Sequence, residues 1–296
     1  MSWITDCTLN WAHLLFVKVL KCGVIPQHIA FIMDGNRRFA RKNNVRKCEG
    51  HVKGFDKLSE TLQWCLELGV KEVTVYAFSI ENFKRSKEEV DDLMALTREK
   101  FKKLLDEREK LMEKGLRIRI IGNTSLLADD IVKMIAEVEL LTKDNSKALL
   151  NVAFAYTAQD EMTNAVNLIL KGVKNNDLNE VDLNTALFSN CLHTKDSPPP
   201  ELLIRTSGET RLSDYLLFQS SFAYLHFTGV LWPELSAWDF LWALFKFQRA
   251  HSTLTEASKR ENLKHSLTSN GARFIESINK THINFLNNTL SYTTIS

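Results

Sequence analysis

The stretch His28-Ile29-Ala30-Phe31-Ile32-Met33-Asp34-Gly35-Asn36-Arg37-Arg38-Phe39-Ala40-Arg41-Lys42 decides how the chain folds. Its first six residues form an apolar, β-favouring run that breaks at Asp34-Gly35, and the residues that follow suit a helix, so it reads strand, turn, helix. That order puts the Asp34 carboxylate on a turn. The helix beyond it begins with unpaired N–H groups and the positive end of its dipole, and Arg37 and Arg38 add two full positive charges. With Asp34 able to hold a divalent cation by hard oxygen ligation, the group best suited to this place is a Mg2+-bound diphosphate. Read alone, the stretch is more simply an Asp-Gly turn followed by exposed arginines, so the rest of the chain has to decide.

Outward from it, hydrophobic periodicity switches between two and 3.6. Phe55, Leu58, Leu62, Cys65 and Leu66 step at helical spacing to Gly69, and Glu72 to Phe78 reads as a strand. Ser86 and Glu89 have the spacing of a capping box, predicting one long helix through Leu111 that closes at Gly115. Strands are expected at 116–121, 149–155, 201–204 and 223–227, and helices from about Leu126 and Gln159, around 183–191, over 212–219 and over 236–248. Pro198-Pro199-Pro200 stops the polar segment before the fifth strand. The alternation implies an α/β fold: a single domain with a central, mostly parallel sheet of about six strands flanked by helices. Before the first strand, Leu9, Trp11, Leu14 to Val17, Val19 and Leu20 make a short apolar helix over residues 8–21, which lies on a membrane interface or, more commonly, covers the domain's own core. After His251 the chain turns polar, with Lys259, Arg260, Lys264 and Arg273, and reads as a loosely attached helical tail.

In a parallel α/β sheet, ligands bind beyond the carboxyl ends of the strands. The residues placed there are Asp34 to Arg38 after the first strand, then Ser79, Glu81, Asn82, Phe83 and Arg85 after the second. The run Arg205-Thr206-Ser207-Gly208-Glu209-Thr210-Arg211-Leu212-Ser213 follows the fifth. It repeats the chemistry of the first: an arginine at the strand end, a small polar turn, a second arginine and Ser213 as a helix opener. Two such cradles on one rim suggest two phosphate-bearing substrates.

Composition narrows the class. A chain of 296 residues, 44% hydrophobic and 25% charged with net charge +2, buries a large core and has no global pull toward nucleic acid, so any anion site is local. Cys7, Cys22, Cys48, Cys65 and Cys191 are scattered without a CxxC pair, which argues for a reducing compartment and against structural zinc. GxGxxG, GxxxxGK[ST], HExxH and GxSxG are all missing, so dinucleotide, P-loop, zincin and serine-hydrolase readings lack their signatures. Cys48 near His51 is taken as a buried structural thiol.

The blocks 28–38, Gly50-His51-Val52-Lys53-Gly54, Tyr76-Ala77-Phe78-Ser79-Ile80-Glu81-Asn82-Phe83-Lys84-Arg85, 203–213 and Leu231-Trp232-Pro233-Glu234 together resemble the signature blocks of the cis-prenyltransferase family, in family order from about Pro26 to His251. The resemblance, strongest to the eukaryotic two-subunit branch, implies a catalytic domain over 26–251 between the helix of 1–25 and a tail over 252–296. It implies elongation of farnesyl diphosphate by successive isopentenyl diphosphates with Mg2+, in a fold with a deep hydrophobic tunnel walled by the helices at 55–66 and 90–111. By the same resemblance, Gly35, Asn36, Arg37, Arg38 and Arg85 hold the allylic diphosphate while Asp34 binds Mg2+. Arg205, Arg211 and Ser213 hold isopentenyl diphosphate, and Ser79 and Asn82 orient it or relay the proton lost after condensation. His51 assists diphosphate departure or serves only as a structural helix residue.

Two departures from the family pattern matter. Homodimeric bacterial members carry a metal-binding glutamate where Tyr224 stands here, and they end in an Arg-x-Gly tail that this sequence does not show. The expectation is therefore a heterodimer or heterotetramer with a Nogo-B-receptor-like accessory subunit, peripheral on the cytosolic face of the endoplasmic reticulum membrane. The rival readings are a non-catalytic scaffold subunit of that complex and a membrane-surface binding module working through residues 11–20.

Overall fold

A computed structural model describes residues 9–262 and 266–291; Cys7, Thr8, Lys264 and residues 292–296 lie outside them. Ten helices and six strands follow in order: α1 (Trp11–Leu20), β1 (His28–Ile32), α2 (Asn36–Lys42), α3 (Lys47–Leu68), β2 (Glu72–Ser79), α4 (Lys87–Asp106), α5 (Arg108–Lys114) and β3 (Leu116–Ile121). Then come α6 (Asp129–Thr142), β4 (Ala148–Tyr156), α7 (Ala158–Lys174), α8 (Thr185–Cys191), β5 (Leu202–Arg205), β6 (Tyr224–Phe227), α9 (Ala237–Asn262) and α10 (Ser269–Ser291). The strands form one sheet in the order β3-β4-β2-β1-β5-β6, and every neighbouring pair is parallel. From β1 the chain builds one half of the sheet through β2, β3 and β4, then returns to β1's other side with β5. The order thus reverses between β1 and β5, the place where an open α/β sheet leaves a crevice at its carboxyl edge.

β1 is buried along its whole length, as a central parallel strand covered on both faces must be. One face packs Ile29, Phe31, Val73 and Val75 against helices α3, α4, α6 and α9 in the main core. The other packs Ala30, Ile32 and Leu203 against Tyr156, Tyr215 and Leu216. On the covered face, α2 and the start of α3 come unusually close. A Cβ on Gly54 would sit 2.3 Å from the Asn36 Oδ1, and one on Gly50 would sit 2.4 Å from the Asn36 carbonyl. Gly54→Ala is therefore expected to push α2 off α3 and lower stability by about 1–3 kcal/mol, the usual cost of overpacking, read as a lower melting temperature.

Four expectations from the sequence change. The helix expected over 212–219 does not form: Ser213, Asp214 and Leu216 have φ of 52°, 58° and 45°, left-handed conformations that no helix accommodates. Ser213 is accordingly a hydrogen-bond acceptor in a strained loop rather than a helix opener. The helix after Ser86 ends at Asp106 and restarts as α5, with Glu107 as the joint. Ser86 does cap α4, accepting from the Glu89 N–H, but the Glu89 side chain turns away to other partners, so the reciprocal half of the capping box is not made. The boundary at residue 251 runs through α9, and the segment beyond is not loosely attached. Phe274 and Ile275 of α10 are buried beside Leu178, Leu187 and Leu192, closing a third apolar cluster.

α1 covers the core with one side only. Its Val17 and Leu20 are buried and it packs on α9, with Phe16 edge-on to Trp238, while Trp11, Leu15 and Val19 face outward at 79%, 58% and 59% exposure. Among the described residues, no helix is long and apolar enough to cross a membrane.

Candidate active site

The sheet register makes the site. Ile32 of β1 pairs with Arg205 of β5, so the turn after β1 meets the loop after β5 at the crevice. Gly35, with φ of 111°, turns the chain into α2, and a Cβ there would press on Leu231 at 3.1 Å. The Asp34 carbonyl accepts from the Trp232 N–H at 3.0 Å and from the Thr206 hydroxyl at 2.7 Å, while the Trp232 indole N–H donates to the Gly54 carbonyl at 2.7 Å. The turn is thus held by three elements from distant parts of the chain.

Arg205 is 3% exposed and sits at the centre. Its guanidinium donates to Asp34 Oδ2 at 2.9 Å, to the Ser213 hydroxyl at 2.6 Å and to the Arg211 carbonyl, so the two cradles are joined by a direct contact. Tyr76, stacked on Tyr215 with ring centroids 4.5 Å apart, has its hydroxyl within reach of two acceptors, the Tyr156 carbonyl at 3.1 Å and the Ser213 carbonyl at 3.3 Å, and so ties the end of β4 to the strained loop. Burial pushes the Tyr76 phenol up to about 12, so it remains a donor.

The neighbouring arginines Arg37 and Arg38 point to different partners, as successive helix positions must. Arg38 donates to the Ser207 carbonyl at 2.7 Å and to Glu209 at 2.6 Å, and the other oxygen of Glu209 accepts from Arg211. Arg37 turns the other way, 3.9 Å from Glu89, which also receives Arg85 at 2.9 Å and Lys47 at 3.2 Å. The sequence reading gave Glu89 only a capping role and Glu209 no role of its own. The signal for Glu89 was the Arg85–Glu89 spacing of four, an ion-pair spacing that here spans the start of α4.

His51 lies just inside α3, between an apolar cavity and an open cleft of ≈ 570 Å³ that also borders Lys47 and Glu89. Its Nε2 is buried without a hydrogen-bond partner. Burial first, then the Arg85 charge, lowers its pKa to about 4, so the ring is neutral at pH 7. Because the folded value lies below the ordinary 6.5, the unfolded chain takes up a proton on residue 51 that the folded chain refuses. Stability from this group is therefore complete above pH 6.5 and falls as pH drops toward 4. His51→Gln is expected to flatten that part of the melting-temperature profile against pH.

Ser79 and Asn82 hold the turn at the end of β2: the Glu81 N–H donates to the Ser79 hydroxyl oxygen and the Ser79 N–H to Asn82 Oδ1, each at 3.1 Å. Asn36 donates to the Met33 carbonyl at 3.3 Å, leaving its own Oδ1 buried without a partner. The apolar cavity behind the rim, ≈ 130 Å³, is lined by Met33, Phe55, Phe101, Phe154 and Trp232. A second of ≈ 50 Å³ lies at the amino ends of the strands, by Cys65, Leu111 and Ile118. Both cavities lie on the sheet face that α3 covers. Cys48 is half-buried rather than buried.

For a divalent cation, Asp34 offers a hard oxygen at the rim, 32% exposed, with Arg205 engaging only Oδ2. Among the described residues no three acidic, histidine or cysteine side chains cluster to hold a metal by themselves. One carboxylate fits Mg2+, which takes its other ligands from substrate phosphates and water. Tyr224 pairs with Leu202 at the far end of β6, three residues and about 10 Å along the strand from the Arg205 edge, so it adds nothing to this chain's own site.

Residues 32–255 match the prenyltransferase family of undecaprenyl diphosphate synthase. The chain belongs to that family. This prenyltransferase is 51% identical over 257 residues to the human dehydrodolichyl diphosphate synthase complex subunit DHDDS, covering 87% of this chain and 77% of the human one. It is 40% identical to a dehydrodolichyl diphosphate synthase complex subunit of Schizosaccharomyces pombe, covering 83% and 96%. The crystal structure of lavandulyl diphosphate synthase from Lavandula x intermedia, in complex with dimethylallyl diphosphate, superposes with a TM-score of 0.71 at 32% identity, over 75% of this prenyltransferase and 95% of that chain.

Proposed function

We propose that this prenyltransferase is the catalytic subunit of a dehydrodolichyl diphosphate synthase, condensing farnesyl diphosphate with successive isopentenyl diphosphates into a long polyprenyl diphosphate for dolichol. The single observation that carries the reading is the Asp34–Arg205 contact of 2.9 Å, which places two arginine cradles side by side at the reversal point of the sheet. In each condensation the allylic C–O bond breaks and its diphosphate leaves. A C–C bond forms to the isopentenyl double bond, and a proton is lost from the isopentenyl unit. The barrier is the separation of positive carbon from diphosphate, so fixed positive charge around the leaving group is what the protein must supply.

Arg37, Arg38 and Arg85, with Gly35 and Asn36 at the start of α2, hold the allylic diphosphate. Arg205, Arg211 and Ser213 hold isopentenyl diphosphate. Ser79 and Asn82 sit where the departing proton can be relayed, and His51 acts there as a neutral imidazole, receiving a hydrogen bond or proton rather than lending charge. Asp34 would hold Mg2+, which neutralises phosphate charge when bound. The apolar cavities behind Phe55 and Phe101 accept the growing chain.

A Nogo-B-receptor-like subunit completes the site. Supporting it are the position of Tyr224, the single protein ligand for the metal, and the unpaired outer edge of β6, beside which Leu217, Phe218, Phe222 and Leu225 are exposed. The outward residues of α1 support attachment to a membrane surface, proposed to be the cytosolic face of the endoplasmic reticulum. The experiment is incubation of the purified chain, with and without such a subunit, with Mg2+, farnesyl diphosphate and labelled isopentenyl diphosphate, followed by sizing of the lipid. Long polyprenyl products only with the subunit support the whole reading. Full activity of the chain alone removes the partner, and no elongation under either condition removes the function.

A further inference from the structure

Both arginine groups at the rim are occupied by acids. Glu89, its side chain only 6% exposed, is bound by Arg85 at 2.9 Å and Lys47 at 3.2 Å, with Arg37 at 3.9 Å. Glu209 spans Arg38 at 2.6 Å and Arg211 with its two oxygens. Burial pushes the Glu89 carboxyl up, but Lys47, Arg85 and Arg37 outweigh it and hold it below its ordinary range; hydrogen bonds from Arg211 and Arg38 do the same for Glu209. Both are anions at pH 7. Neither is needed to keep its arginines protonated, since a guanidinium is charged at any working pH.

We propose that Glu89 and Glu209 are displaceable counter-anions: Glu89 holds Arg37 and Arg85 of the allylic seat, Glu209 bridges Arg38 of that seat to Arg211 of the isopentenyl seat, and each is displaced by an arriving diphosphate and takes its arginines back as the diphosphate leaves. The inference rests on reading these arginines as diphosphate seats, and deepens it. A repeating synthase has to clear pyrophosphate after every addition, and three or four cations facing a multiply charged anion in a partly dry crevice would otherwise bind it too tightly to turn over. A carboxylate competing for the same N–H groups lowers that affinity without removing any donor. It also limits like-charge repulsion in the empty seat, where Arg37, Arg85 and Lys47 would otherwise face one another with Glu89 between them removed. The geometry suits exchange, since the Arg37 and Arg38 side chains are about half exposed and an arriving anion can reach them from solvent.

The test is calorimetric titration of the full-length chain with inorganic pyrophosphate, comparing wild type with Glu89→Gln and Glu209→Gln. Each substitution keeps the shape and a hydrogen-bonding oxygen but removes the charge. The expected result is that each variant binds pyrophosphate about ten-fold more tightly, as deletion of one competing charge a few ångströms from the ligand requires. Processive turnover falls as product release slows. Unchanged or weaker binding in both variants overturns the inference while leaving the functional reading intact. A wild-type chain that binds no pyrophosphate either alone or together with the accessory subunit overturns both. Glu209 lies on the surface, so its variant keeps the test decisive if the buried Glu89 variant does not fold.

Discussion

Asp34→Ala is expected to lower polyprenyl synthesis by about a thousand-fold, equivalent to about 4 kcal/mol of transition-state stabilisation. The Asp34 carboxylate stands at the rim, 32% exposed, and meets Arg205 at 2.9 Å through one oxygen. Its loss removes the proposed metal ligand and leaves the nearly buried Arg205 short of a partner. Fold should survive, because the turn is held by the backbone carbonyl of residue 34, which accepts from Trp232 and Thr206 whatever the side chain. The check is a rate measurement with saturating substrates beside a melting curve: a collapse of rate with a small change in melting temperature is the expected pair. An active Asp34→Ala enzyme would remove the proposed chemistry.

Arg205→Lys is expected to cost nearly as much, about a hundred- to a thousand-fold, since two or more charge-assisted hydrogen bonds at about 1.5–3 kcal/mol each are lost. A lysine has the charge but not the planar fork that reaches Asp34, Ser213 and the Arg211 carbonyl together. Arg205 does more than face substrate: at 3% exposure it also anchors a loop with three left-handed residues, so its variant should melt earlier as well. Isopentenyl diphosphate should show the larger rise in KM. Exposed Arg211, by contrast, should lose activity with little change in melting temperature.

The strands and most helices were legible because their signal is local: β1 is a pure apolar run between turn residues, and β3 to β6 begin and end within a few residues of where periodicity puts them. So was the identity of the rim, since a parallel sheet gives strand ends a meaning before any coordinate is known. The loop after Leu212 misled because Leu212, Tyr215 and Leu216, at helical spacing, pack beside Tyr76 and Tyr156 as an irregular coil, and tertiary packing overrides the period. Glu89 was misread because it stands three residues after Ser86 and four after Arg85, so it fits both a capping box and an ion pair. Nothing in the sequence told Arg37 and Arg38 apart; only the position of Glu89 on α4 and of Glu209 in the distant loop does so. α10 looked loose because its few apolar residues are spaced among polar ones, yet Phe274, Ile275 and Leu286 fall on one buried face.

The register that sets Ile32 beside Arg205 also governs how the protein can be made. The central strand emerges from the ribosome early, but its second neighbour and the Trp232 clasp come some two hundred residues later, so one side of a wholly apolar strand waits without a mate throughout translation. Native pairing at such long sequence separation is slow, and unpaired strand edges invite aggregation. Nascent chains of this enzyme should therefore lean on chaperones, and a message truncated before residue 232 should yield insoluble protein rather than a weak enzyme.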